Sequence, residues 1–328
     1  MNVIIPLAGF GTRLRPHTYT KPKPLINVAG KPVLGHILDK LKGLDIDEIV
    51  FVVGYLGDQI KTYVSENYDF KAEYVEQKEL LGQAHALHLA KDLLKGPTII
   101  LFVDTLFEAN LEQLQQEASD GVIYVKEAED PRRFGVVLTD KEGHITQLIE
   151  KPDSMEHNLA VIGLYYVKDF QRLMTAIKSL MDQNIQTKGE FYLADALQLM
   201  IKDGAVMRPE TVDVWLDCGK PETVLETNRY LLDNGMDNSD DVSSDNAIII
   251  PPVHVHPSAK IKNSVIGPYV TIAAKCSIEG SILRSTIVDE ETCLQNALLE
   301  ESLIGRKVDF IGCPRQLNLG DSAYVGGL

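Results

Sequence analysis

Val3-Ile4-Ile5-Pro6-Leu7-Ala8-Gly9-Phe10-Gly11-Thr12-Arg13-Leu14-Arg15-Pro16 is the stretch of this 328-residue sequence whose reading decides the fold. Val3-Ile4-Ile5 is a short apolar, β-branched run, the composition of a buried strand. Gly9 and Gly11 follow it on a strand-to-loop turn. Without a Cβ in the way, such a turn lets backbone N–H groups close on phosphate oxygens. Arg13 adds mobile positive charge suited to a triphosphate, as does Lys23 in the following Thr20-Lys21-Pro22-Lys23-Pro24-Leu25.

That positive charge is local. The chain carries 32 Lys and Arg against 47 Asp and Glu, a formal net charge of −15. The first 38 residues nevertheless hold Arg13, Arg15, Lys21, Lys23 and Lys31 and no acid, where average composition would place about five. A basic pocket in an acidic protein suits a small polyanion such as a nucleotide or a sugar phosphate. The overall field argues against nucleic acid or a membrane as partner. Cys218, Cys276, Cys293 and Cys313 lie far apart with no Cys-x-x-Cys, so neither a zinc site nor a disulfide framework is signalled. No apolar run is long enough to span a bilayer, and the working location is cytoplasmic.

Outward from the first strand, strand-like and helical periods alternate to about residue 235. Strands are expected at 3–5, 48–53, 98–103 and 212–215. Helices are expected at 33–41, 56–65, 83–94, 170–181 and 193–202. Strand–helix–strand alternation implies an α/β domain over residues 1–235: a Rossmann-like mixed, mainly parallel sheet with helices on both faces. Ligands of such sheets bind at the carboxyl ends of the strands. Residues 236–246 are polar and acidic and read as a linker or exposed turn. In residues 247–328 the period becomes six: Ile266, Ile272 and Ile278 follow one another at that spacing, as do Val255 and Ile261, and Ile304 resumes it after a less regular stretch. Six is the period of a parallel β-helix. About four coils fit in the length available, and their open ends and apolar face suggest an element of homo-oligomer assembly.

The string from Leu7 to Leu25 resembles the signature loop of the sugar-phosphate nucleotidyltransferases, the nucleoside-diphosphate-sugar pyrophosphorylases, and in particular the glucose-1-phosphate thymidylyl- and uridylyltransferases. The resemblance continues through the first domain. Asp104 ends Ile99-Ile-Leu-Phe-Val-Asp, and Asp217 lies in Trp215-Leu-Asp-Cys-Gly219. Phe134-Gly135-Val136 and Glu150-Lys151-Pro152 match the family's sugar-loop and Glu-Lys-Pro segments. The resemblance implies transfer of a nucleotidyl group from a nucleoside triphosphate to a sugar 1-phosphate, with pyrophosphate released. It makes Arg13, Lys23, Asp104 and Asp217 catalytic, with the two aspartates as ligands of Mg²⁺. Two carboxylates suit that hard ion, which keeps phosphate oxygens and water for its other positions. Leu7, Ala8, Gly9, Gly11, Thr12 and Arg13 would hold the nucleotide. Gly135, Glu150 and Lys151 would hold the sugar phosphate. A left-handed β-helix is the implied form of the C-terminal repeat.

Gln77 stands five residues before Gly82-Gln-Ala-His-Ala, as in relatives that use uridine or thymidine triphosphate. A side-chain amide can both donate to and accept from uracil or thymine. Two departures bear on the nucleotide: the glycine loop is one residue shorter than in thymidylyltransferases, and Asp104 lies between Val103 and Thr105 where many relatives have Gly-Asp-Asn. Mannose-1-phosphate guanylyltransferase and a catalytically silent NDP-sugar-binding paralogue are the competing expectations. His17, His36, His85 and His88 show no catalytic pattern and read as satisfied or solvent-facing.

Overall fold

Strand β1 (Asn2–Pro6) buries Val3, Ile4 and Ile5 completely because it runs through the middle of a sheet covered on both faces. A computed structural model describes residues 1–313, in two compact units: Met1–Ile26 with Lys31–Thr227, and Asn27–Gly30 with the chain from Asn228 on. In the first unit, β1 is flanked in parallel by β2 (Glu48–Val53) and β4 (Thr98–Leu101), and β3 (Ala72–Glu76) extends the parallel part beyond β2. Helices α1 (Val33–Leu41), α2 (Gly57–Asn67) and α3 (Gln83–His88) belong to this half.

Beyond β4 the sheet turns antiparallel. Strand β9 (Leu159–Val167) pairs with β4, with β6 (Gly121–Glu127) and with the hairpin strand β7 (Gly135–Thr139), whose partner is β8 (Ile145–Glu150). Strand β10 (Met207–Thr211) adds to β6 in parallel, so the sheet is mixed, as the sequence implies. Helices α4 (Phe170–Asp182) and α5 (Leu193–Lys202) bury Phe170, Leu173, Ile177, Leu193 and Leu197 in the same core as Ile4, Val50 and Ile100. A separate two-stranded ribbon pairs β5 (Thr105–Glu108) with β11 (Val214–Asp217).

Two elements end earlier than their periodicity suggests. The strand expected over 98–103 stops at Leu101; the Phe102 N–H makes one last bond in the register of β9, to the Gly163 carbonyl at 2.9 Å. The helix expected over 83–94 stops at His88. Ala90, Lys91 and Leu93 then bond carbonyls three residues back, and the chain tightens into successive turns. The apolar positions persist in that tighter geometry, which is why periodicity misreads it.

The second unit is a parallel β-helix of three four-stranded faces. Ile266, Ile272 and Ile278 point inward and are fully buried, as the six-residue spacing requires. The irregular stretch after them has a simple cause: Ile266 pairs with Leu283, 17 residues on, whereas Leu283 pairs with Leu299, 16 residues on. A residue lost from the coil moves the buried set to Leu283, Val288 and Leu294. The corners turn through left-handed residues, and one column of them is Asn246, Asn263, Gly280 and Asn296. Asparagine and glycine adopt that conformation at least cost. Asn246 donates to Asn263 across the stack at 2.8 Å.

The polar residues that open this unit are structured. Asp237 accepts from the Val253 N–H at 2.8 Å, and Asn238 exchanges two hydrogen bonds with the Val255 backbone, so the first coil's open edge is paired. Asn228, in helix α6 (Pro221–Leu231), is 1% exposed. Its Oδ1 accepts from the Ala29 N–H at 2.9 Å and the Thr271 hydroxyl at 2.7 Å, and its Nδ2 donates to the Tyr269 carbonyl. Asn228→Ala would leave buried donors unpaired at about 1–3 kcal/mol each. Thermal unfolding of the variant should show a midpoint lowered by several degrees, whereas an unchanged midpoint would show that water replaces the amide.

Candidate functional site

The site grows from the carboxyl ends of β1, β4 and β8. After β1, the Leu7 N–H still bonds the Val52 carbonyl at 2.7 Å, and the chain then leaves the sheet. Gly11 sits at φ +60°, and a Cβ there would lie 2.9 Å from Cβ of Lys23 and 3.2 Å from Thr18. The Thr18 hydroxyl donates to the Gly11 carbonyl at 2.9 Å, so loop and lysine segment pack as one body. A Cβ at Gly9 would meet nothing within 4 Å; its side is open space. Leu14 is fully buried and anchors the short turn Thr12–Leu14, which leaves Arg13 outermost. Lys21 is 8% exposed, whereas Lys23 borders a cavity of about 390 Å³. Leu7, Ala8, Gly9, Gly11, Thr12 and Arg13 border the same cavity. Gln77, Gly82 and Asp104 close its other sides.

A second cavity, of about 330 Å³, adjoins Gly135, Glu150, Lys151, Trp215 and Asp217. Arg13 and Asp104 line both cavities, as do Gln83, Phe102 and Glu190. Every candidate residue chosen from the sequence thus borders one space or the other. Sequence reasoning missed Phe102, Arg133, Glu190 and Tyr192, which share these walls. Arg133 and Phe102 adjoin quoted motifs and could have been found by adjacency. Glu190 and Tyr192 carry no local signal, since the loop between α4 and α5 brings them in.

The two aspartates meet through backbone pairing. Asp217 lies opposite Thr105 in the β5–β11 ribbon, and the Cys218 N–H donates to the Asp104 carbonyl at 2.8 Å. The Thr227 hydroxyl holds the Asp217 carbonyl at 3.1 Å, and the Gly219 N–H holds its Oδ1 at 2.8 Å. A Cβ at Gly219 would come within 2.7 Å of that oxygen and 3.3 Å of Nη2 of Arg13, so glycine allows the guanidinium and the carboxylate to share the turn. Burial pushes the Cys218 thiol up to about 12, which keeps it protonated and inert. Among the described residues no cluster of three acidic, His or Cys groups forms. Asp104 and Asp217 would offer a cation two carboxylates, a set that fits a hard ion completed by phosphate oxygens and water and does not fit zinc.

At the other wall, Glu150 lies opposite Gly135 in the β7–β8 hairpin, and a Cβ on Gly135 would sit 3.1 Å from Glu150 Oε2. Burial raises the Glu150 pKa above the ordinary carboxylate value. Nearby Asp195 raises it further, and Lys151 and Lys188 oppose the rise. Lys151 Nζ is 3.8 Å from Glu150 and 5.7 Å from the centre of the Tyr192 ring. The backbone of Lys151 is left-handed, at φ +51°, and its N–H is held by the Phe134 carbonyl at 3.0 Å. Trp215 packs edge-on to Phe134 at 4.7 Å, and its indole N–H is buried without a partner among the described residues. Such an arrangement offers donors, an acceptor and an aromatic wall to a polyhydroxylated ligand.

Gln77 is 6% exposed; its Nε2 lies 3.3 Å from the Gly82 carbonyl and 3.1 Å from Nδ1 of His85. Gly82 has φ +109°, and a Cβ on it would collide with the Phe191 backbone at 2.6 and 2.7 Å. Helix α3 therefore begins at this glycine because the loop before α5 passes against it, with Ala84 N–H bonded to Phe191 O at 2.9 Å. His85, read from sequence as satisfied or solvent-facing, is a direct neighbour of the candidate base contact.

Comparison with known proteins agrees with this construction. Over 99% of each chain, the protein is 31% identical to the low-salt glycan biosynthesis nucleotidyltransferase Agl11 of Haloferax volcanii. It is 28% identical to a glucose-1-phosphate thymidylyltransferase of Streptomyces griseus, over 98% of each. It is 37% identical to the bifunctional protein GlmU of Methanocaldococcus jannaschii over 234 residues, 71% of this chain and 55% of that one. A UDP-glucose pyrophosphorylase complexed with UDP-glucose shares the fold, with a TM-score of 0.62 at 22% identity over 71% of this chain and 98% of that one. Residues 2–234 match the nucleotidyl transferase family as a whole, and the chain belongs to that family of enzymes.

Proposed function

We propose that the enzyme joins UTP or dTTP to a hexose 1-phosphate, glucose 1-phosphate foremost, and releases pyrophosphate. One observation carries this reading: Arg13 and Asp104 border both cavities, so the nucleotide space and the sugar space meet at a cation and a carboxylate. A phosphate oxygen of the sugar 1-phosphate attacks the α-phosphorus, the α–β bridging P–O bond breaks, and pyrophosphate leaves with the electron pair. No proton moves, so no general base is needed. Catalysis is positioning and charge neutralisation. The glycine loop and Arg13 hold the triphosphate, Lys23 adds charge from the side, and Lys151 faces the sugar phosphate. Glu150 accepts from sugar hydroxyls. Asp104 and Asp217 would hold Mg²⁺, which when bound supplies charge neutralisation at the phosphates. The similarity to glucose-1-phosphate thymidylyltransferases of two Streptomyces species supports the choice of base and sugar.

The chain divides, in this reading, into a catalytic domain over 1–235, a connecting segment over 236–246 and a C-terminal domain over 247–328, whose β-helix assembles a homo-oligomer and whose residues 314–328 lie outside the described residues. Support for assembly comes from one outer column of the β-helix: Ile248, Val265, Ile282 and Leu298 stand in register, and three of them are 62%, 49% and 78% exposed. The next column carries Arg284 and Glu300, which pair with each other along the stack at 3.5 Å and leave the apolar column as the face to be covered. The four free cysteines suit a reducing compartment, and we place the reaction in the cytoplasm.

Four measurements test this. Pyrophosphate release, screened over four triphosphates and a panel of sugar 1-phosphates, should be fastest with UTP or dTTP and glucose 1-phosphate. Asp104→Asn and Asp217→Asn should each lower kcat at least a hundredfold, and EDTA should abolish turnover; full activity in EDTA would remove the metal from the reading. Because burial raises the Glu150 pKa, its carboxylate protonates at a higher pH than usual and loses an acceptor. The KM for the sugar phosphate should therefore rise as pH falls toward the carboxylate range, and Glu150→Gln should have a high KM that no longer follows pH. Ile282→Glu with Leu298→Glu should lower the mass seen by light scattering, and an unchanged mass would refute assembly through this face.

A further inference from the structure

We propose that His85 is a positioning residue for base selection: by accepting from the Gln77 amide it leaves Gln77 Oε1 as the atom offered to the nucleotide, an acceptor that selects bases with a ring N–H. The inference rests on the reading of Gln77 as the base contact and adds to it a fixed polarity.

The Gly82 carbonyl can only accept. The amide atom 3.3 Å from it must therefore be the nitrogen, because the reversed amide would oppose two lone-pair oxygens. The same nitrogen lies 3.1 Å from His85 Nδ1, so its second N–H points at that ring nitrogen, which must present a lone pair. The other side of the imidazole settles the tautomer. His85 also hydrogen-bonds the Glu79 backbone, and with Nδ1 occupied this bond is made by Nε2–H. Both donors of the amide are thus consumed inside the protein. Gln77 is buried at 6% exposure yet borders the nucleotide cavity, and Oε1 is what remains for a ligand.

Uracil and thymine present N3–H to such an acceptor. Cytosine and adenine present a ring nitrogen lone pair at the corresponding edge, and are repelled. An amide free to rotate would serve either edge. The polarity is therefore imposed by two neighbours: the Gly82 carbonyl and the neutral imidazole. Protonating His85 would set Nδ1–H against the amide N–H and break the arrangement. The charged groups facing the ring are the Glu79 carboxylate, which favours the proton, and His88, which opposes it; burial also opposes it and holds the His85 pKa below the ordinary value.

The test compares wild type, His85→Leu, His85→Asn, Gln77→Ala and the double variant Gln77→Ala with His85→Leu, with KM and kcat for UTP, dTTP, CTP and ATP. His85→Leu should raise KM for UTP and dTTP about fivefold to tenfold, leave kcat within about twofold, and narrow the gap to CTP and ATP by a similar factor. His85→Asn, whose Oδ1 can accept but cannot titrate, should restore the base ranking. It should also remove the rise in KM expected of wild type when His85 protonates, at a pH below the ordinary imidazole range; ionisation of the triphosphate is common to both and cancels. In the Gln77→Ala background, His85→Leu should change nothing further. If His85→Leu leaves KM and ranking intact while Gln77→Ala alters them, or raises KM equally for all four nucleotides, the positioning role is overturned and the base reading stands. If Gln77→Ala itself leaves the ranking unchanged, the base reading falls and the inference with it.

Discussion

The hydrogen bond from the Cys218 N–H to the Asp104 carbonyl, 2.8 Å long, is the constraint on which the site depends. It fixes the register of a two-stranded ribbon in which Asp217 lies opposite Thr105, and so brings Asp104 and Asp217, far apart in the chain, to one cavity. Two anionic side chains do not approach unaided, because like charges repel and desolvation adds to the cost. Backbone pairing, with the Thr227 hydroxyl and the Gly219 N–H holding Asp217, provides what the side chains alone oppose. Arg13 enters the same turn only because position 219 lacks a Cβ.

Crowding of backbone against functional groups recurs around both cavities. Gly11 lets Lys23 close on the loop, Gly82 lets the Phe191 backbone close on the start of α3, and Gly135 lets the Glu150 carboxylate lie across the hairpin. A methyl group at any of the three would meet an atom at 3.1 Å or less. Preorganisation here comes from close approach that larger residues forbid, which suits a reaction that relies on placement rather than on a protein nucleophile.

Electrostatics work on two scales. The chain's net charge of −15 disfavours approach of any anion at long range. At contact distance, screening is incomplete and the acid-free N-terminal segment governs the local field. Glu150 answers to a different balance: burial raises its pKa, and Lys151 and Lys188 counter that rise. The acceptor of the second cavity is thus coupled to its cation, and removing Lys151 would let the Glu150 pKa rise further.

Much was legible from residue order alone. A continuous β-branched run followed by two glycines can only be a buried strand feeding an open loop, and Ile266, Ile272 and Ile278 state a coil period that the buried faces repeat. These signals are local, because strand burial and corner geometry act on neighbours in sequence. The same locality misread residues 89–94, where apolar spacing survives a change from helix to tighter turns, and lost the repeat where a coil shortens from 17 to 16 residues. Other facts belonged to tertiary structure: that Glu190 and Tyr192 line the cavities, that Lys21 is buried while Lys23 is not, and that His85 touches Gln77. Each depends on how separate elements pack in space, and sequence patterns encode which face a residue presents, not which face it will meet.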